Sequence, residues 1–145
     1  MKTWVIRTTT IEAIHPVTHK IKEFINPYPL EEYRKRLSAI PHLVLAAYDD
    51  EKIIGFKIGY QLTETIFYSW MGAVLSDYRR QDVAKQLAQY QENWARQNGY
   101  SKIQFKTRNK LRSMLLFAIK NDFNIINIEP KTDIEEYRIV MEKQL

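Results

Sequence analysis

Runs of apolar residues separated by short polar turns dominate the middle of the chain. They predict three consecutive strands, at His42–Tyr48, Ile53–Tyr60 and Ile66–Leu75. Residues 49–52 and residues 63–65 form the polar turns between these strands. Neighbouring strands joined by such short turns are expected to pair as an antiparallel meander.

A helical period follows the third strand. Its apolar positions are spaced by four, three and four residues, at Val83, Leu87, Tyr90 and Trp94. The pattern predicts a helix over residues 83–98 that Gly99 closes, and Tyr100–Thr107 then reads as a strand. Such a strand–helix–strand unit places its two strands parallel, with a right-handed crossover.

Shorter patterns flank this centre. Before it we predict a strand at Trp4–Arg7, a helix from near Ile11 capped within Thr8–Thr10, and a helix at Leu30–Leu37. After it we predict a helix that Asn109 caps, then strands at Phe123–Ile128 and Tyr137–Met141. Pro16 makes the first helix either start later or bend at that residue.

The composition excludes several classes of protein. The chain has 145 residues, 45% of them hydrophobic and 12% aromatic, as expected for a globular protein. No apolar run approaches the roughly 20 residues that span a bilayer, and the N-terminus has no signal-peptide pattern. The absence of cysteine rules out disulfides, thiolate metal sites and a cysteine nucleophile. We therefore expect a cytoplasmic protein with no membrane association.

Charge is unevenly distributed along the chain. The formal net charge is +5, and residues 101–121 carry six basic side chains and no acidic side chain until Asp122. Carboxylates gather later, between Glu129 and Glu142. A local basic field suits an anionic ligand, and nucleic acid is a less favoured candidate. His15 and His19 are interpreted as a surface pair, and no metal site is expected.

The end of the third strand is the first candidate for chemistry. A strand that leads directly into a helix leaves several backbone N–H groups without partners at the helix N-terminus. With the helix dipole, they form a binding site for phosphate or pyrophosphate. Arg79, Arg80 and Lys85 lie around this point in the sequence. The pattern thus predicts an anion site at the carboxyl end of a strand, where open α/β sheets bind ligands.

The same residues resemble a known family. Residues 74–84 (VLSDYRRQDVA) resemble the acetyl-CoA motif V-x-P-x-Y-R-x-x-G-x-G/A of the GNAT superfamily of N-acetyltransferases. Residues 107–123 are similar to the next motif of that family, an Asn-started helix that ends in Gly-Phe. The resemblance implies an α/β (α+β) fold: one domain over residues 1–145, with a mixed, mostly antiparallel sheet of six to seven strands, about four helices and a central parallel unit.

The resemblance also implies roles for particular residues. Backbone groups of Gly72, Ala73 and Val74 would pair with the pantetheine arm of acetyl-CoA, and the side chain of Asn109 would contact it from the second helix. The pyrophosphate would lie against backbone N–H groups near Arg79, namely those of Arg80, Gln81, Asp82, Val83, Ala84 and Lys85. Candidates for the general base that takes the proton of an amine are Glu64, Tyr68 and Ser69.

Three departures from the family pattern qualify this interpretation. Asp82 and Asp122 stand where the family has glycine, and Ser76 stands where it has proline. The carboxylate of Asp82 would repel a pyrophosphate unless it points away or Arg79 or Arg80 neutralises it. The tyrosine that often serves as general acid in the second helix has no counterpart, since its place falls near Ala118.

The sequence predicts an acyl-CoA-dependent N-acyltransferase, with acetyl-CoA as co-substrate and a small-molecule or peptide amine as acceptor. The alternative is a catalytically weak module of this fold that binds or senses CoA, and a basic nucleic-acid-binding domain is ranked last. Loops near residues 25–41 and 130–133 are expected to choose the acceptor. A homodimer is left open.

Overall fold

The computed structural model describes residues 2–145 of the chain. Its strands are β1 (Val5–Thr8), β2 (His42–Asp49), β3 (Lys52–Gln61), β4 (Ile66–Val74), β5 (Lys102–Arg108), β6 (Asn124–Glu129) and β7 (Arg138–Gln144). Its helices are α1 (Ile11–Thr18), α2 (Leu30–Leu37), α3 (Val83–Gln97) and α4 (Arg112–Lys120). Two 3₁₀ turns lie at Ser76–Tyr78 and Ile134–Glu136.

All seven strands form one sheet in the order β1-β2-β3-β4-β5-β7-β6. Strands β4 and β5 pair in parallel, and the other neighbours pair antiparallel. The meander β2-β3-β4 and the crossover through α3 confirm the predicted fold class. No helix in the described part of the chain is long and apolar enough to cross a bilayer.

The helices divide between the two faces of the sheet. Helix α3 packs on β2, β3 and β4 through a core that includes Val83, Leu87, Leu45 and Phe67. Helix α4 packs through Ala118 on Phe105 and its neighbours, which continue the same face. Helices α1 and α2 cover the other face of β2–β4, where Ile14, Tyr33, Phe56 and Ile58 are buried. The α3 face and the α1/α2 face therefore have separate cores.

Local sequence signals explain most of the element ends. The side chain of Thr10 accepts a hydrogen bond from Ala13 N, so α1 begins at Ile11 with Pro16 inside the helix. Gly99 adopts φ +89° directly after the C-cap of α3, a conformation that costs glycine little. The predicted cap at Asn109 is wrong, because α4 begins at Arg112 and its N-cap is Leu111.

A β-bulge interrupts the pairing of β3 with β4. Ile58 faces Met71 and Gly59 faces Ser69, so Trp70 is the extra residue. The bulge turns Trp70 and Met71 to the α1/α2 face, where both pack against its core. It also leaves Gly59 so close to its neighbours that an added Cβ would lie 2.4 Å from Phe67 Cε2 and 2.8 Å from the Tyr68 carbonyl oxygen.

Gly59→Ala should destabilise the protein by about 1 to 3 kcal/mol, because backbone and ring must both move to admit a methyl group. Urea unfolding followed by circular dichroism measures the change. Gly72→Ala is the matched control on the same strand pair, since the nearest atom to its Cβ would be 3.3 Å away. Equal stability of the two variants would contradict this account of the bulge.

Candidate functional site

The sheet opens where β4 and β5 separate. They pair through three residue pairs, from Ile66↔Lys102 to Tyr68↔Gln104, and then diverge. Strand β4 nevertheless continues to Val74 against β3, and β5 continues to Arg108 against β7. Between the two strands, one edge of β4 thus presents backbone groups without a partner strand. An extended, amide-rich ligand could pair with such an edge.

The chain leaves β4 through the 3₁₀ turn and enters α3 at Val83. The N–H groups of residues 80–85 donate no hydrogen bond to any group of residues 2–145, and the first helical bond of α3 runs from Gln86 N to Asp82 O. Arg80 and Asp82 both have positive φ, at +62° and +64°. Six free N–H groups at a helix N-terminus form an anion-binding arrangement.

Contacts with distant parts of the chain hold this loop in place. The hydroxyl of Tyr78 donates to Asp49 Oδ2 at 2.7 Å, and Trp4 Nε1 donates to the carbonyl oxygen of Gln81 at 2.9 Å. Trp4 N donates to Gln86 Oε1 at 2.8 Å, and the Trp4 and Tyr78 rings meet edge to face. The loop is therefore fixed by the N-terminal segment and the β2–β3 turn before any ligand binds.

A cleft of about 350 Å³ lies between the loop, the first turn of α3 and the end of α4. Four cations border it, and three of them, Arg80, Lys85 and Lys120, make no salt bridge with another described residue, while Arg79 pairs with Glu23. Phe117 and Asn121 complete the α4 wall. These two residues were not predicted, although Lys120 and Asn121 follow Phe117 by three and four residues, which is the spacing of one helix face.

Arg79 has a different role from the other cations at the cleft. Its guanidinium forms a two-pronged ion pair with Glu23, with both N···O distances 3.0 Å, and its Nε donates to the Val74 carbonyl oxygen at 3.0 Å. The hydrogen bond from Arg79 holds the pKa of Glu23 below its ordinary range. The side chain of Arg79 thus ties the loop to the segment between α1 and α2.

Asp82 keeps the backbone conformation that glycine would have. Its φ of +64° and the +72° of Asp122 show that both departures from the family pattern fall on left-handed positions. Aspartate is one of the few residues with a side chain that adopts this region at modest cost. Asp82 lines the cleft, and its carboxylate forms no salt bridge with Arg79 or Arg80.

The candidate general bases lie in three different environments. Glu64 is exposed in the turn before β4, at the end of that strand farthest from residues 80–85. Ser69 is buried on the α3 face, one residue beyond the last parallel pair. Tyr68 lies against Tyr60 on the opposite face, where burial raises its pKa. Tyr68 and Ser69 therefore lie at the point where β4 and β5 separate, whereas Glu64 lies in the turn before β4.

Asn109, the predicted cofactor contact, is engaged by other parts of the chain. Asn109 donates through Nδ2 to the Ile134 carbonyl oxygen at 3.2 Å, and its backbone N–H donates to the Tyr137 carbonyl oxygen, so it joins the β5–α4 loop to the β6–β7 connection.

The basic run of residues 101–121 is largely neutralised by the late carboxylates, in the pairs Lys102–Glu142, Lys106–Glu129, Arg108–Glu136 and Lys110–Glu136. Lys120 is the member of that run that borders the cleft.

No cluster of three or more His, Cys, Asp or Glu residues suitable for a metal ion occurs within residues 2–145. His15 Nε2 lies 3.1 Å from the Tyr28 carbonyl oxygen, and its ring meets that of His19 edge to face. The two histidines therefore pack against local structure.

Lys57 is a half-buried lysine that no sequence pattern marked as a site residue. It lies on β3 opposite Gly72 of β4, and its side chain crosses that glycine, so that a Cβ on Gly72 would lie 3.7 Å from Lys57 Nζ. No hydrogen bond or ion pair joins its ammonium group to the rest of residues 2–145. Burial lowers its pKa to about 8, against a weaker opposing attraction to Glu92.

The fold and the cleft define the class of protein: a mixed sheet split at a parallel strand pair, with a cationic cleft at the following helix N-terminus. The family model of the acetyltransferase (GNAT) family matches residues 11–118, about three quarters of the chain. The chain therefore belongs to the acetyltransferase (GNAT) family, as its motifs predicted. No curated protein sequence matches it significantly.

Solved structures share this fold over nearly the whole chain. The ribosomal-protein-S18-alanine N-acetyltransferase from Escherichia coli is 17% identical and has a TM-score of 0.83, covering 98% of this chain and 94% of its own. A GNAT family acetyltransferase from Elizabethkingia anophelis with acetyl-CoA bound is 17% identical, with full coverage of both chains (100% and 100%) and a TM-score of 0.75. The PaiA N-acetyltransferase from Thermoplasma acidophilum, in complex with coenzyme A, is 18% identical, covers 99% and 100%, and has a TM-score of 0.74.

The half-buried lysine predicts a pH dependence of stability. Lys57 titrates near 10.5 in the unfolded chain and at about 8 in the folded protein. Between these values the unfolded state binds more protons, so the free energy of unfolding rises with pH across this window. Lys57→Met should therefore stabilise the protein by about 3 kcal/mol at pH 7, and this gain should disappear towards pH 10.

Urea unfolding at a series of pH values measures this difference. Lys20→Met removes an exposed lysine and is the control for the change in net charge. Parallel stability curves for wild type and Lys57→Met would mean that Lys57 titrates normally.

Proposed function

We propose that this protein is an acetyl-CoA-dependent N-acetyltransferase that transfers the acetyl group to a primary amine by direct attack. One observation carries the proposal: the six unpartnered N–H groups of residues 80–85 at the N-terminus of α3, bordered by free cations, directly follow the strand that separates from its parallel neighbour. A nucleotide thioester has a pyrophosphate for such a site and an amide-rich arm for such a strand.

We place the proposed ligand along the cleft and the free edge of β4. Its pyrophosphate accepts hydrogen bonds from the N–H groups of residues 80–85, while Arg80, Lys85 and Lys120 supply positive charge. Its pantetheine arm continues along Gly72–Val74 into the opening between β4 and β5. Phe117 and Asn121 of α4 border the other wall of the cleft. Asn109 remains a candidate contact, although its side chain is engaged by Ile134.

The reaction needs few protein groups. The nitrogen of a neutral amine attacks the thioester carbon, the C–S bond breaks, and CoA leaves as a thiolate. A base must take the proton of the incoming ammonium. Tyr68 keeps its own proton at neutral pH because burial raises its pKa, so it suits donation of a hydrogen bond. Ser69, at the point where β4 and β5 separate, could hold the water that takes this proton, whereas Glu64 lies before the start of β4.

The α1/α2 face of the opening is the proposed side of entry for the acceptor amine. The rings of Tyr28 and Tyr60 lie 6.0 and 5.9 Å from that of Trp70, and the guanidinium carbon of Arg36 lies 4.4 Å from the Trp70 ring. Tyr28 and Arg36 come from the region of residues 25–41, which was expected to choose the acceptor. A small molecule or a peptide end with a primary amine is the proposed acceptor.

A CoA-binding module with weak catalysis is the second candidate. The observation that favours it is Asp82, whose unpaired carboxylate borders the cleft. The helix α4 also carries Phe117 and Ala118 where the family tyrosine would supply a proton.

Calorimetric titration with acetyl-CoA and a thiol-release screen over primary amines test these proposals together. Binding with turnover supports the acetyltransferase, and binding without turnover on any amine supports the second candidate. Absence of binding would overturn both.

Ala84→Asp isolates the anion site from the stability of the fold. Ala84 is exposed in the first turn of α3, where a carboxylate favours the helix dipole but repels a pyrophosphate. We expect unchanged or slightly higher thermal stability and at least about tenfold weaker binding of acetyl-CoA. Calorimetry with Ala84→Ser as the neutral control measures the loss. Equal affinity of the two variants would mean that the phosphates bind elsewhere.

Asp82→Asn and Asp82→Gly should both tighten binding of CoA, by roughly tenfold at low salt, because each removes the carboxylate that borders the cleft. Both replacements tolerate the left-handed backbone, so the loop should keep its shape. The gain should shrink at high ionic strength, since salt screens the repulsion. Asp122→Asn, at the other left-handed aspartate, is the control. Unchanged affinity in both Asp82 variants would show that the carboxylate does not face the phosphates.

A further inference from the structure

We propose that Lys57 is the group that protonates the CoA thiolate as it leaves, in place of the tyrosine that this chain lacks. The inference rests on the proposed function and names a catalytic residue for it. Lys57 belongs to β3, outside both family motifs, and its side chain lies over Gly72 of β4.

The geometry directs the ammonium group toward the thiol end of the proposed ligand. The phosphates lie at residues 80–85, so the arm runs back along β4 and its sulfur end lies toward Gly72. Lys57 is the register partner of Gly72, and Nζ would be 3.7 Å from a Cβ on that residue. Because Gly72 has no side chain, nothing of that residue separates the ammonium group from the opening.

The surroundings of Lys57 contain one carboxylate, and it is already paired. Glu92 of α3 is buried and forms a 2.7 Å ion pair with Lys143 of β7. Toward the other strands Lys57 faces Leu45 of β2 and Gly72 of β4, neither of which carries charge. Two buried or half-buried lysines thus share one carboxylate, and the uncompensated positive charge favours a ligand that becomes anionic there.

A neighbouring side-chain amide, that of Gln91, also lacks hydrogen-bond partners. Gln91 of α3 is fully buried and has no hydrogen-bond partner for its Nε2 or its Oε1 among the described residues. A Cβ on Gly59 would lie 2.8 Å from Gln91 Nε2, which shows that this amide lies directly above β3, on the face of Lys57. Buried polar groups without partners are rare in folded proteins. Ser69, also buried on this face, lies at the strand separation.

Proton transfer from Lys57 accompanies the departure of CoA. Collapse of the tetrahedral adduct breaks the C–S bond, and its electron pair stays on sulfur. Lys57 gives one proton from its ammonium group to that thiolate, which yields the CoA thiol and a neutral amine on Lys57. The acceptor nitrogen loses two protons in forming the amide, so Lys57 can regain one while the other passes to solvent. A lysine whose pKa is about 8 can both lose and regain a proton near neutral pH.

The test measures the thiol of bound CoA and needs no acceptor. The chain has no cysteine, so ultraviolet absorbance of thiolate, with CoA-free protein as blank, reports the ligand alone. A cation within about 4–6 Å lowers the pKa of a thiol by a unit or more. At a given pH below the midpoint, CoA bound to the wild type should have a thiolate fraction about tenfold higher than CoA bound to Lys57→Met.

Two further variants make the result specific. Lys57→Arg keeps the positive charge and should keep the thiolate fraction high, while Lys20→Met should match the wild type. If Lys57→Met does not fold, Lys57→Gln provides the same comparison. Equal thiolate fractions in wild type and Lys57→Met, with CoA bound to both, would overturn this inference and leave the proposed function standing. Failure of the wild type to bind CoA would overturn both.

Discussion

The structure depends on one limited contact, the three parallel residue pairs that join β4 to β5. Each strand is held over its whole length by its other neighbour, β4 by β3 and β5 by β7. The sheet can therefore open in its middle without exposing either half. An open strand edge is a hazard on a protein surface, but inside a cleft it offers backbone groups to a ligand.

The loop after β4 combines a rigid frame with local strain. Tyr78, Trp4 and Gln86 fix its position through contacts with segments far away in the sequence. Within that frame, Arg80 and Asp82 hold left-handed conformations that cost side-chain residues on the order of 1 kcal/mol each. Five of the six residues with free N–H groups, all except Gln81, line one cleft. Arg79 contributes to this frame through Glu23, so two adjacent arginines of one motif have different roles.

Local sequence patterns predicted the helices and strands, whereas the features that they did not predict depend on contacts between residues distant in the sequence. The strands and the four helices follow from periodicity, and free N–H groups at the start of α3 follow from the strand-to-helix junction. Their assignment to residues 80–85 came from the resemblance to the family motif. The bulge at Trp70 does not follow from local patterns, because it depends on the register between two strands. Asn109 was expected to cap α4, yet its partners come from the β6–β7 connection, about 25 residues away in the sequence. The position of Lys57 over Gly72 could not be predicted either, because it too depends on the register between β3 and β4.

The distribution of charge argues against a broad basic surface. The run at residues 101–121 predicts one when the sequence is considered alone, but its members on β5 and in the following loop pair with carboxylates of β6, β7 and their connection. The cations that remain unpaired at the site, Arg80, Lys85 and Lys120, border a single cleft, and Lys57 lies farther along the same face. Positive charge confined in this way matches a compact polyanion with a long neutral arm. The extended phosphate backbone of a nucleic acid would need a continuous basic stripe instead.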